Sequence, residues 1–350
     1  MSSSNHRKNQ ISISGFGAVS PAGWGIEPLR SAIRKDQIAP ATDLARPGWQ
    51  SALRVRKVPA PATRPSFLGH ARLRRTSPIT QYAVAAALEA LGQTNQRKNP
   101  EERLGIVLCV MTGCVNYSRR FYHETLEEPA TASPLVFPET VFNAPASHLA
   151  ALLGTKAISY TLVGDPGTFL QGLALAAVWL GENEVDACLV VGAEEVDWLT
   201  ADAYRLFNRR VTLAEGAGAI CLRRAGDDAS GVTLEAVSNS HNYSRGTTRD
   251  EACARMRDEL LASGQADLLC DGTIGEARQD QPEIRAWKGW RGMRLSPKQN
   301  LGEGLATASA WQCALAADWL LERREGSAYV SVAGCNEQAI GARLAWRKTP

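Results

Sequence analysis

None of the eight cysteines in this 350-residue chain stands in a C-x-x-C pair, and they follow no regular spacing. The five histidines are scattered as well, so no zinc-ligand cluster can be drawn and no metal or other cofactor is expected. Cys188, Cys221 and Cys270 fall in apolar runs, where a free cysteine behaves as a small hydrophobe. No secretory signal is present, which makes a reducing cytoplasm the expected setting. A net charge of +3 is too small to argue for nucleic acid, and the basic residues are too dispersed. The longest apolar run, around Leu173 to Leu180, is too short to cross a bilayer, so no membrane span is expected. What remains is an ordinary globular composition, 44% apolar and 21% charged, long enough to bury a large core.

One further absence is local. Residues Tyr160 to Gly181, Y-T-L-V-G-D-P-G-T-F-L-Q-G-L-A-L-A-A-V-W-L-G, read as the end of a buried strand, a tight turn and an apolar helix. Asp165 suits the N-cap and Pro166 the first helical position. The helix is apolar nearly all round, which sets it inside a large fold. Several enzyme families place a nucleophile at such a junction. Here no serine or cysteine lies between Leu162 and Gly181, and Thr168 is the only hydroxyl. The turn has the shape for a nucleophile and lacks one.

The rest of the chain is arranged around that junction. Residues 1–10 read as a polar, basic, disordered tail. Ile11 to Gly17 alternates as a strand, Ala18 to Gly25 reads as a Gly/Pro turn, and Ala39 to Gly69 reads as a long surface excursion. Ser77 to Leu91 and Asn143 to Leu153 are Ala-rich helices, and Tyr117 to Glu127 is a third helix. Leu104 to Met111 is a wholly apolar strand, and Asp186 to Gly192 and Ala214 to Leu222 are a second and third strand of the kind buried on both faces. A polar break from Arg223 to Gly231 divides the chain. Beyond it the order repeats: strand Val232 to Val237, helix Asp250 to Ser263, strand Ala266 to Cys270, a Gly-rich loop from Asp271, a helix from Leu305 to Arg323, and a hairpin from Ala328 to Trp346. The expected organisation is an N-terminal half over 11–225 and a shortened C-terminal half over 232–347.

Several segments together resemble the β-ketoacyl synthases of the thiolase fold. I-S-G-F-G-A-V-S-P-A-G resembles their opening strand and turn, and T-Q-Y-A-V-A-A-A-L-E-A-L their first long helix. N-A-P-A-S-H-L-A-A-L-L-G, followed by S-Y-T, resembles the approach to their active-site strand. E-V-D-A-C-L-V-V-G-A-E and A-E-G-A-G-A-I-C-L resemble the strands that follow. The resemblance implies an α/β fold, a duplicated α-β-α-β-α layered architecture with two pseudo-repeated halves.

In that family a cysteine holds the acyl chain as a thioester, and two histidines assist a decarboxylative condensation. The resemblance sets the cysteine at Pro166, the first histidine at Asp271 and the second at Glu303, with the family's lysine kept as Lys298. The loop that gates the family's site falls around Gly334 and Cys335, and Asp165 adjoins the missing nucleophile. A proline cannot be acylated, and carboxylates repel the oxyanions that histidines stabilise. No catalytic residue is therefore expected among the triad positions. The implied role is that of an inactive partner subunit, like a chain-length factor, paired with an active ketosynthase or with itself and served by an acyl carrier protein. Two alternatives remain: an acyltransferase using a substitute nucleophile such as Cys114, and a non-catalytic scaffold that holds an acyl chain or carrier protein. Lys298 is further expected to bridge Asp271 and Glu303 as a buried ion-paired plug.

Overall fold

The computed structural model describes residues 10–92, 102–226, 230–243, 246–335 and 337–348. The expected basic tail therefore lies, apart from Gln10, outside the described residues. Two five-stranded arrays carry the fold. The first joins β1 (Ile11–Ser20), β5 (Leu104–Val110), β6 (Ser159–Val163), β7 (Ala187–Glu194) and β9 (Gly216–Arg224) in the order β6-β5-β7-β9-β1. The second joins β10 (Gly231–Val237), β12 (Leu268–Cys270), β13 (Met293–Leu295), β14 (Ser327–Ala333) and β15 (Gln338–Arg347) in the order β13-β12-β14-β15-β10. In each array two parallel pairings precede two antiparallel ones. β1 and β10 pair antiparallel and make the arrays one sheet. This is the duplicated thiolase-like arrangement.

The central strands are buried along their whole length because both faces are covered. β5, β7 and β14 have no exposed residue, as expected for strands with helices on either side. Two helices, α5 (Thr168–Gly181) and α10 (Ala306–Arg323), touch strands of both arrays and form the middle layer. Every residue of α10 from Ala306 to Asp318 is buried. Small side chains let it lie against the sheet, and Gly192 and Gly218 complete the fit, since a Cβ on either would overlap α10. Polar groups on α10 then staple the arrays together. Trp311 donates to the Val19 and Ala217 carbonyls at 3.0 and 3.1 Å, and Gln312 donates to the Cys270 and Ser331 carbonyls at 3.1 and 2.9 Å. Each satisfies buried backbone acceptors in an otherwise apolar layer.

The outer layers are α2 (Pro78–Gly92) with α4 (Ala144–Leu153) on the first array, and α7 (Arg249–Ala262) with α8 (Ala277–Ala286) on the second. α1 (Ile26–Arg34), α3 (Val115–Glu127), α6 (Trp198–Phe207) and α9 (Pro297–Leu301) complete the α-helices of the described residues.

Two expectations are corrected. β1 continues through Ser20 and pairs with β2 (Gly23–Trp24), so the expected Gly/Pro turn is mostly strand; Phe16 to Val19 are held against β9. The excursion over 39–69 is not structureless. It contains β3 (Thr42–Leu44) and β4 (Leu53–Arg56), which form a small sheet with β8 (Leu213–Ala214). The alternation L-R-V-R, with Leu53 and Val55 buried, was its only local sign. In β11 (His241–Asn242), the His241 Nε2 lies 2.9 Å from Glu259.

Candidate functional site

The turn between β6 and α5 is fixed from three sides. The Asp165 carbonyl accepts from Thr168 N at 2.8 Å, and Ser309 of α10 donates to the Pro166 carbonyl at 2.6 Å. A Cβ on Gly167 would overlap Gln338 and Ile340 of β15, so only glycine lets the turn approach that strand. Helix α5 begins at Thr168, two residues beyond Pro166, and has no side-chain N-cap. The N-cap expectation for Asp165 is thereby corrected. Its carboxylate accepts from Gly167 N and, across the halves of the fold, from Glu337 N, both at 3.0 Å. A long-range partner competes for the group that a local cap would use.

The segment receiving that carboxylate links β14 to β15. Tyr243 donates to the Gly334 carbonyl at 2.6 Å, Arg249 to the Ala333 carbonyl at 3.2 Å, and Gly334 N to the Gln338 carbonyl at 2.8 Å. Asn336 lies outside the described residues. The Cys335 sulfur stands 4.0 Å from that of Met111. Burial pushes the Cys335 thiol up to about 12, the charges of Asp165 and Glu303 adding to it and Lys298 opposing. That is a protonated, weakly nucleophilic thiol at neutral pH.

Glu303 lies between α9 and α10. Its backbone bonds Thr212 and Ala214, while Oε2 accepts from Lys298 Nζ at 2.9 Å and Oε1 from Leu305 N at 2.8 Å. Both members of the pair are 1% exposed. Burial pulls the Lys298 pKa down, but the charge and hydrogen bond of Glu303 outweigh it and leave it above the ordinary lysine value. Asp271 is held separately. Its Oδ1 accepts from Thr273 N at 3.1 Å, Thr273 Oγ1 at 2.7 Å and Ser296 Oγ at 2.8 Å, and Arg294 Nε stands 3.1 Å from Oδ2. The expected bridge is thus half present: Lys298 bonds Glu303, and Asp271 takes Arg294 instead. The buried neighbour Glu283 bonds Gly272 N and the Ser331 hydroxyl. Burial first, and the Asp271 charge second, raise its pKa to about 7.

A cavity of about 740 Å³ reaches this constellation at Leu305 and Cys335, while Pro166, Asp271 and Glu303 do not line it. Met111, Leu305 and Cys335 give it an apolar inner wall, and Tyr204 lines its side. Arg209, Arg210 and Arg278 also line it, next to Leu206 and Phe207, which are 82% and 86% exposed. Cys114 does not line the cavity. Its sulfur is 3.6 Å from the Val141 carbonyl, and burial, with Glu195, Glu139 and Glu194 adding, raises its pKa above the ordinary thiol range. His148, on α4, is held by Glu139 at 2.7 Å.

Helix α6, which supplies Tyr204 and ends at the arginines, was missed in the sequence. Its signal is V-D-W-L-T: Asp197 accepts from Leu199 N at 2.9 Å, and Thr200 completes a capping box.

The duplicated sheet, the two central helices and a constellation at the end of α5 define the ketosynthase fold. Solved structures agree. A chain described as the ishigamide ketosynthase/chain length factor has a TM-score of 0.79 at 20% identity, covering 96% of this chain and 99% of that one. A type II PKS ketosynthase in complex with its acyl-carrier protein has a TM-score of 0.76 at 15% identity over 97% and 99%. A β-ketoacyl synthase from Burkholderia phymatum has 0.77 at 15% over 98% and 100%. Residues 8–228 match the family of the β-ketoacyl synthase N-terminal domain, and the chain belongs to that family. No curated protein matches the sequence significantly.

Proposed function

We propose that this chain is a catalytically silent β-ketoacyl synthase homologue. In this reading it serves as the partner subunit, of chain-length-factor type, of an active ketosynthase in fatty acid, polyketide or polyene synthesis. One observation carries the reading. At the three positions where the resemblance sets Cys, His and His, the chain has Pro166, Asp271 and Glu303, and each is fixed in structural bonding. Proline offers neither a thiol nor a backbone N–H to a developing oxyanion. Asp271 and Glu303 act as acceptors toward groups already in place.

The free edge of the first array supports a partner. Among the described residues β6 pairs only with β5 and leaves Tyr160 and Val163 each 54% exposed, and Val178 of the adjoining α5 is 51% exposed. An apolar, unpaired edge strand is a template for another chain. A second copy of this protein would bring the same silent site, so an active synthase is the occupant that gives the assembly chemistry. The arginines beside Leu206 and Phe207 suit an acidic acyl carrier protein, and the assembly is read as cytoplasmic. The substitute nucleophile gains no support, since Cys114 is 2% exposed and its sulfur faces the Val141 carbonyl, with neighbouring carboxylates that disfavour a thiolate.

The test is covalent labelling of the purified chain with an acyl-thioester probe, read by intact mass. No adduct is expected. A stoichiometric adduct on Cys114 or Cys335 would replace the partner reading with that of an acyltransferase.

A further inference from the structure

The stretch that carries the β6 edge has a charge unlike the rest of the chain. From Phe121 to Tyr204 there are twelve aspartates and glutamates, and Lys156 is the only lysine or arginine. That is a net −11 in a chain whose total is +3. Apolar surface collects in the same stretch. More than half of the large apolar side chains exposed among the described residues lie between Tyr122 and Val178, including Leu126, Leu135, Phe137 and Ile158. Apolar surface gathered in this way, with polar residues at its margins, marks an interaction site. The elements that bear it adjoin one another in chain order. The rings of Phe121 on α3 and of Phe137 lie 5.3 Å apart, and Glu139 reaches His148 of α4 at 2.7 Å. A cleft of about 320 Å³ lies between α4 and β6, and Tyr160 of β6 packs edge-on against Trp179 of α5 at 5.7 Å.

The fold accounts for most of the acids. Asp165, Glu194 and Glu195 are buried and accept from backbone N–H groups. Glu124, Asp186 and Asp197 take the adjoining Arg120, Arg103 and Arg119, and Asp202 takes Arg46. Glu184 stands in the field of Arg103 as well. Three acids have no such role. Glu127 ends α3, Glu128 is its C-cap, and Glu182 is the C-cap of α5. All three are exposed, and none forms an ion pair among the described residues; Glu128 accepts from Ala130 N at 3.4 Å. A carboxylate at a helix C-terminus is opposed by the macrodipole. Local stability gives no reason for these three, and they stand at the ends of the two helices that expose Tyr122, Leu126 and Val178.

We infer that this face refuses a second copy of the chain and takes a different protein, one whose covering surface is apolar at its centre and edged with lysine or arginine. In a two-fold pair the same patch meets itself. With Lys156 the one base of the stretch, acids then face acids at whichever register the β6 edges align. Hydrogen bonding along a strand edge is indifferent to sequence and by itself permits self-pairing. Like charge removes that option and leaves the apolar centre to an oppositely charged partner. The inference rests on the partner-subunit reading for the place of the interface, and adds the charge that the partner must carry there.

The test uses the full chain in two charge states. Sedimentation velocity compares the wild-type chain, the variant Glu127→Lys/Glu128→Lys/Glu182→Lys, and an equimolar mixture of the two. Lysine is favoured at a helix C-terminus, so the variant keeps its fold, which thermal melting checks. Each alone is expected to be a monomer, and the mixture to form a one-to-one dimer at least about tenfold tighter than either self-pair. Raising salt from about 0.05 to about 0.5 M should dissociate the mixed dimer, because exposed charges are screened. Glu127→Gln/Glu128→Gln/Glu182→Gln removes repulsion without adding attraction, and should self-associate more tightly than the wild-type chain. A mixture that stays monomeric would overturn the charge rule and leave the partner-subunit reading intact. A wild-type dimer that salt and the glutamine substitutions leave unchanged would overturn the inference, and would count against that reading as well.

Discussion

Glu303→Ala is expected to cost about 3–5 kcal/mol of unfolding free energy, the range for removing one partner of a buried ion pair. The substitution leaves the Lys298 ammonium 1% exposed without its hydrogen-bonded counter-charge. It also removes the acceptor of Leu305 N. Leu305 sits at φ +51°, a conformation a leucine keeps only when its surroundings hold it. The double variant Lys298→Met/Glu303→Leu should recover most of the loss, because apolar groups of similar volume need no counter-charge. Urea denaturation reads both. The pair also has a pH signature. The folded Lys298 pKa stands above the unfolded value of 10.5. Its contribution is therefore complete below that value and lost as pH rises through the higher, folded one. A loss below about 1 kcal/mol for Glu303→Ala, as at an exposed pair, would show that the plug does not hold the fold.

Gly334→Ala should be nearly as damaging, at about 2–4 kcal/mol, combining overpacking with lost buried hydrogen bonds. A Cβ there would overlap the Asp165 carboxylate. That carboxylate is 2% exposed and anchored by Gly167 N and Glu337 N, so moving aside breaks both bonds. Asp165→Ala on its own loses the same bonds. In the double variant the two losses should therefore overlap rather than add, a coupling that a double-mutant cycle measures directly. Strict additivity would mean that the clash is absorbed elsewhere. The same contact fastens the β14–β15 segment to the turn that leads into α5.

Much of the fold was legible because the strands are buried on both faces and read as continuous apolar runs. β5, β7 and the β14–β15 hairpin fall where those runs stand. The errors come from tertiary partners that local pattern does not record. Asp165 followed by Pro166 carries every sign of a helix start, yet its carboxylate is claimed by a backbone N–H 172 residues away. Lys298, Asp271 and Glu303 were expected to pair as one plug. Their pairing was decided by Arg294, an exposed-looking residue in a short strand, which took Asp271 from the lysine. The arginine-lined cavity was missed because α6 is short and its caps lie in V-D-W-L-T rather than in any apolar period.

The measurement closest to the central claim is affinity capture of the tagged chain from its native host, with mass spectrometry of the recovered complex. The account expects a ketosynthase with an intact Cys-His-His site, recovered one to one with this chain. Capture of this chain alone, as a monomer or a pair of identical copies, would contradict it.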